Sequence, residues 1–154
     1  MKLQQLELTD FRPFKNLNIQ FGEQLTVLVG INGAGKTSIL EALAIMLSRL
    51  FSRIRSTKGT GQFTESDIRK GASKTANSIE IEFNQKSHSW KVVKTKRGRK
   101  KQTITNLTAI KYIVEQIQDS FEQNGKNSVP LAVFSGVNRA VLAVHLRIRT
   151  KLPF

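Results

Sequence analysis

The residues with the clearest chemical potential are Gly30-Ile31-Asn32-Gly33-Ala34-Gly35-Lys36-Thr37, which fit the pattern G-x-x-x-x-G-K-[ST] without a mismatch. A triphosphate needs many hydrogen-bond donors at close range. The successive amides of Asn32, Gly33, Ala34, Gly35, Lys36 and Thr37 supply them if the backbone curls into a concave nest. Gly33 and Gly35 lack the Cβ that would block that approach, and they tolerate the backbone angles it requires. Lys36 offers a point charge to the β- and γ-phosphates. Thr37 offers a hydroxyl to Mg²⁺, a cation that prefers oxygen ligands. Ser38 is placed to help hold the α-phosphate. Chance agreement at four fixed positions occurs in roughly one chain of this length in a few hundred.

Such a loop works only if a strand delivers the chain to it and a helix receives it, so that the helix N-terminus adds its amides and its dipole. Both elements are written in the sequence. Leu25–Val29 is almost entirely apolar and β-branched, the pattern of a strand covered on both faces. Beyond the loop, Ile39, Leu43, Met46, Leu47 and Leu50 recur at helical spacing, which predicts an amphipathic helix from Lys36 to about Phe51. Upstream, Lys2–Thr9 reads as a strand, Phe11-Arg12-Pro13-Phe14 as a turn, and Leu17, Ile19 and Phe21 as an alternating strand. Downstream, Ser52–Glu65 reads as a loop, Ile79–Phe83 and Trp90–Val93 as strands, and Leu107 to Gln123 as a second helix ended by Gly125. Leu131–Phe134 reads as a short strand. Arg97-Gly98-Arg99 has the composition of a hairpin tip.

The 154 residues include 25 Lys and Arg against 11 Asp and Glu, a net charge of +14. A field of that sign attracts polyanions, whether nucleotides, nucleic acids or acidic protein surfaces. With no cysteine in the chain, disulfides, thiolate metal sites and cysteine nucleophiles are excluded. His88 and His145 stand far apart and have no partner set for acid–base work, so both read as structural. No apolar run approaches the roughly 20 residues that cross a bilayer. No signal peptide is recognisable either, and a cytoplasmic location without membrane contact is expected.

Several of these segments together resemble a family. Leu6-x-Leu-x-Asp-Phe-Arg-Pro-Phe, the alternating strand after it, Leu-Val-Gly-Ile-Asn-Gly-Ala-Gly-Lys-Thr, and then Ile-Leu-Glu-Ala-Leu look like the start of SMC-like ATPases. That group includes RecF-type and SbcC-type proteins built on an ABC-type head. Asp67-Ile-Arg-Lys-Gly71 and the strand after it resemble the same family. Pro130-Leu-Ala-Val-Phe with Gly136 and Arg139 resembles a subgroup of bacterial defence ATPases of Septu-type and retron-associated systems.

The resemblance implies an α/β P-loop NTPase lobe with a mixed sheet around the P-loop strand and a β-rich flank from about Ile79 to Thr105. It implies ATP and Mg²⁺ as cofactors, and a homodimer of heads closed by the γ-phosphate. By the same resemblance Arg12 contacts nucleotide, and Ile68, Arg69 and Lys70 lie near it, unless these basic residues are ordinary surface charge. Glu41 is either a helix surface charge or an organiser of the magnesium shell.

Family members hydrolyse ATP with an apolar strand ending in Asp-Glu and a Ser-Gly-Gly-rich signature. Asp10, Asp67 and Asp119 are the only aspartates, and none closes such a strand. Residues 1–154 are therefore expected to be one incomplete P-loop ATPase domain, its N-terminal lobe only, acting in DNA repair or anti-phage defence. Alternatives are a nucleotide-binding remnant without hydrolysis, and a nucleic-acid-binding module. The last rests on Lys91, Lys94, Lys96, Arg97, Arg99, Lys100 and Lys101, whose charges would meet DNA or RNA phosphates if they crowd at one hairpin tip. Trp90, at the base, either stacks on a nucleobase or belongs to the core.

Overall fold

The computed structural model describes residues 1–54, 61–98, 105–124 and 132–134. Four strands form one sheet in the order β2-β1-β3-β4: β1 (Lys2–Phe11), β2 (Phe14–Gln20), β3 (Lys74–Phe83) and β4 (Lys86–Thr95). Every neighbouring pair is antiparallel. Two α-helices accompany the sheet among the described residues, α1 (Lys36–Ile54) and α2 (Thr108–Asn124).

The alternation of the strands decides which face they bury. Leu6 and Leu8 of β1, Ile79 and Ile81 of β3, and Trp90 and Val92 of β4 all point to one side and are buried. Ile39, Ala42, Met46 and Leu50 of α1 and Ile110, Ile113, Val114 and Ile117 of α2 close over them in a single core. Trp90 is fully inside, and its Nε1 donates to the Met46 carbonyl of α1 at 3.2 Å. This overturns a nucleobase-stacking role for Trp90: an indole whose N–H already has a buried acceptor is a core anchor. The opposite sheet face carries Gln5, Glu7, Asn18 and Ser78, which hydrogen-bond among themselves. Antiparallel sheets commonly divide their faces in this way.

The strands run longer than the sequence pattern suggests, because pairing extends past the apolar positions. Lys2–Thr9 grows to Phe11, where Phe11 pairs with Phe14 across a two-residue turn. The β3–β4 turn lies at Asn84-Gln85, both with positive φ (50° and 61°), as tight hairpins require. Gly98 also has positive φ, at 77°, and after it Asn106 returns to pair with Lys91. The chain therefore does turn back beyond β4, although Arg99, Lys100 and Lys101 lie outside the described residues. Gly125 and Leu131 lie outside them as well, and Ala132–Phe134 carries no strand.

One expected element is missing from the sheet. Leu25–Val29 is in no strand, and the sheet is antiparallel rather than mixed among the described residues. Leu28 packs against the core, whereas Leu25, Val27, Val29 and Ile31 are 79%, 68%, 89% and 82% exposed. The reason is geometric. A segment apolar on both sides needs a neighbour on each flank to satisfy its backbone. Among the described residues no strand pairs with Leu25–Val29, so neither flank is supplied.

The core description has a direct consequence. Trp90→Phe removes a buried hydrogen bond and leaves a gap, and is expected to cost about 2 kcal/mol. Val29→Thr, on the exposed segment, is expected to stay within about 0.5 kcal/mol of wild type. Urea unfolding followed by circular dichroism compares the two directly. Equal effects would refute the assignment of core and surface.

Candidate functional site

The phosphate-loop residues lie between Leu28, which packs on the core, and the first turn of α1. Gly33 and Gly35 both take positive φ, at 83° and 93°. Their reasons differ. Around Gly33 there is open space, so only the backbone angle demands glycine. At Gly35 a Cβ would also collide with Cζ of Phe14 and lie 3.2 Å from Cγ of Pro13. The β1–β2 turn is thus seated on the loop at the point where α1 begins.

The loop is held internally as well. Ala34 N–H donates to the Ile31 carbonyl at 3.2 Å, and Ile39 N–H to the Gly35 carbonyl at 3.0 Å, opening α1. Lys36 Nζ folds back to donate to the carbonyls of Gly30 (2.6 Å) and Ile31 (2.8 Å). Its ammonium therefore folds back over the arch. Asn32, Gly33, Ala34 and Thr37 are exposed along the rim, with Lys36 and Ser38 partly covered. This is a cradle suited to phosphate: two glycines with the required angles, a cation held over the arch, and a helix N-terminus behind. If Mg²⁺ binds with the phosphates, Thr37 is the hydroxyl positioned to take it.

Arg12 is the residue that joins this cradle to the sheet. It is the first residue of the two-residue turn and takes φ of +47°, a conformation few non-glycine residues adopt. Its side chain is divided between two carboxylates. Nε donates to Asp67 Oδ1 at 2.9 Å, and Nη1 is paired with Glu41 Oε2 on α1. The same Nη1 lies 3.5 Å from Ser38 Oγ, directly beside the loop. The guanidinium carbon also stands 5.1 Å from the ring centre of Phe11. Burial works against the guanidinium's charge, but the hydrogen bonds to Glu41 and Asp67 outweigh it and raise the pKa further.

Asp67 is the buried half of this arrangement. It ends a short 3₁₀ turn, Glu65–Asp67, and its Oδ2 accepts from Thr64 N–H (2.8 Å) and Thr64 Oγ1 (3.0 Å). The backbone adds two more ties: Arg12 N–H to the Asp67 carbonyl at 3.0 Å, and Arg69 N–H to the Asp10 carbonyl at 2.8 Å. Phe63 packs edge-on against the buried Phe11. Burial alone would push the Asp67 carboxyl up. The Thr64 and Arg12 hydrogen bonds overcome that and hold it below its ordinary range.

The expected site residues therefore separate into two groups. Arg12, Ser38 and the loop come together around the β1–β2 turn. Arg69 instead meets Asp10 through its backbone, and Lys70 is exposed. No hydrogen bond or ion pair among the described residues ties either side chain to the loop. Ile68 is buried, pairing with Phe11. Glu41, rather than standing as a free surface charge, is bonded to Arg12. Asp67 was not expected to matter beyond its segment, although Thr64-x-x-Asp67 has the spacing of a residue that ties down the start of a helical turn.

The basic residues do not gather on a single face. Lys91 and Lys94 have opposite parity on β4, with Lys94 on the side of Trp90 and Val92. Arg97 is fully exposed beyond the strand, and its amide donates to Glu65 Oε1 at 3.2 Å.

The Asp67 geometry fixes a pH dependence. Because its folded pKa lies below the unfolded value of about 3.9, it stabilises the fold above that pH and loses this as pH falls through the folded pKa. Asp67→Asn is expected to cost about 1–2 kcal/mol at pH 7 and to flatten the acid limb below about pH 4. Urea midpoints from pH 7 to pH 2.5 measure this. Parallel losses in wild type and variant would show that Asp67 contributes nothing to the acid limb.

Comparison with known proteins agrees with this geometry. The family model described as an AAA domain matches residues 5–152. Proteins named DNA replication and repair protein RecF, from Streptococcus pneumoniae strains JJA and 70585, are each 32% identical over 122 residues. Those matches cover 77% of this chain and 33% of each relative, so the chain spans about a third of their length. A match across nearly the whole chain, with an intact phosphate loop in α/β surroundings, places this chain in the AAA domain family of P-loop ATPases, in its SMC/RecF-like form.

Proposed function

We propose that this chain binds ATP with Mg²⁺ as the P-loop lobe of an SMC/RecF-like ATPase acting in DNA repair, in the cytoplasm. The observation that carries the reading is the cradle itself: Gly33 and Gly35 at positive φ, Lys36 Nζ over the arch, and Arg12 brought to Ser38 by the hairpin turn. Asn32, Gly33, Ala34, Gly35, Lys36 and Thr37 would hold the phosphates, Ser38 and Arg12 would support them, and Thr37 would take the metal. Arg69 and Lys70 are assigned a lesser, outer role. The name of these relatives, DNA replication and repair protein RecF, supports DNA as the setting. No helix among the described residues is long and apolar enough to cross a membrane.

Hydrolysis by this chain alone is expected to be slow or nil. Ordering Mg²⁺ and polarising water takes two free carboxylates near the phosphates. Among the described residues no strand ends in an Asp-Glu pair, and the Asp67 carboxylate is committed to Arg12 and Thr64. Turnover in this reading needs a second lobe, and the γ-phosphate would close two heads into a homodimer. Anti-phage defence is the variant role, supported only by the resemblance over Pro130–Arg139, most of which lies outside the described residues.

A second reading, nucleic-acid binding through the basic segment, is favoured by one observation: Arg97 is fully exposed just beyond β4, in the same stretch of sequence as Lys94 and Lys96. Lys36→Ala would leave such binding intact. DNA or RNA affinity would then fall steeply with salt.

Calorimetry of ATP with and without Mg²⁺ tests the leading reading. Binding is expected for wild type, with a loss of at least tenfold in Lys36→Ala, and steady-state phosphate release near background for both. Equal ATP affinity in wild type and Lys36→Ala would refute it.

A further inference from the structure

Arg12 has one end of its guanidinium committed and the other within reach of the phosphate loop. Nε is tied to a carboxylate that is itself buried and doubly held by Thr64. Nη1 is shared between Glu41 on the first turns of α1 and the vicinity of Ser38 Oγ at 3.5 Å. Any anion lying against Ser38 and reaching the same guanidinium arm would meet Glu41 already there. Two anions crowding one arm repel each other unless well solvated, so one of them must give way. The two carboxylates also differ in freedom. The Asp67 side chain is 7% exposed and the Glu41 side chain 38%, so Glu41 is the one able to turn into solvent.

We propose that Glu41 is an internal stand-in for a phosphate group, holding the Nη1 arm of Arg12 until the nucleotide's phosphates displace it, while Asp67 keeps the Nε edge throughout. This rests on the reading that the loop binds ATP, and it assigns Glu41 and Asp67 as positioning residues acting through Arg12. Asp67 fixes where the guanidinium stands, and Glu41 sets how readily it is surrendered. The Phe14 and Pro13 contact with Gly35 keeps the hairpin turn seated on the loop, so the exchange needs only a side-chain rotation.

The two carboxylates then have opposite effects on affinity. Glu41→Gln removes the competitor and is expected to tighten ATP about fivefold, the size of one partly exposed ion pair. Pyrophosphate, which has phosphates and no base, is expected to tighten similarly, and adenosine not at all. In an Arg12→Ala background the gain should shrink below twofold, because the arm being competed for is gone. Asp67→Asn is expected to weaken ATP about fivefold in the presence of Arg12 and little in its absence.

The measurement is calorimetric titration of the full chain with ATP, pyrophosphate and adenosine across these variants, each first checked for folding by circular dichroism. A general loss of stability would shift all ligands together, whereas displacement shifts only the phosphate-bearing ones. Tightening by Glu41→Gln that persists undiminished in Arg12→Ala would overturn the proposal in favour of simple repulsion through space. No tightening at all, with Lys36→Ala still abolishing ATP binding, would overturn it while leaving the nucleotide reading intact. Failure of wild type and Glu41→Gln alike to bind any phosphate ligand would overturn both.

Discussion

The contact on which the site depends is that of the β1–β2 turn with Gly35. The turn is part of a well-paired hairpin, the hairpin is half of the sheet, and the sheet is fixed by the core under α1 and α2. Through Phe14 and Pro13 that rigidity reaches the loop at the residue where the chain becomes helical. Gly35 is consequently constrained twice, by its backbone angle and by the ring above it, while Gly33 answers to the angle alone. An alanine at either position strains the loop, but only at 35 would it also push the hairpin away.

The electrostatics of the site run against the composition. In a chain with 25 basic and only 11 acidic side chains, three of the acids bind basic residues around the β1–β2 turn and the 3₁₀ turn. Glu41 and Asp67 hold Arg12, and Glu65 meets Arg97. The short turn Glu65–Asp67 thus touches both the hairpin beside the loop and the end of the basic strand. Partly buried charge pairs of this kind are expensive to assemble and more expensive to break on one side, which favours a single arrangement over a set of near-equivalent ones. Net charge describes the outer field of the molecule. It says little about the site, where carboxylates are concentrated.

What could be read from the residues was the part governed by local periodicity and by a loop with its own spacing rule. The helical spacing of Ile39 to Leu50 gave α1, alternation gave β1 to β4, and G-x-x-x-x-G-K-T gave the cradle. Three things were not legible. Leu25–Val29 has the composition of a central strand, but whether a strand forms depends on neighbours that composition does not specify. Trp90 amid lysines looked equally like a stacking platform or a core residue, and only pairing across to Ile79 settles that it faces α1. The Asp67–Arg12–Glu41 cluster joins residues 55 and 29 positions apart in sequence, a proximity no local pattern encodes.

Arg12 shows most clearly that this geometry is not incidental. A two-residue hairpin turn of this hand normally places glycine first, since a side chain there strains the backbone by roughly 1 kcal/mol or more. A chain that needed only the turn would relax by taking glycine at that position. Arginine is kept there at φ +47°, with its amide bonded to the Asp67 carbonyl and its Nε to the Asp67 carboxylate. Those bonds offset the strain, and without the guanidinium Asp67 would be a buried carboxylate held by Thr64 with no counter-charge. The strain and the buried carboxylate are each unfavourable alone. Together they place one guanidinium beside Ser38, at the edge of the phosphate loop.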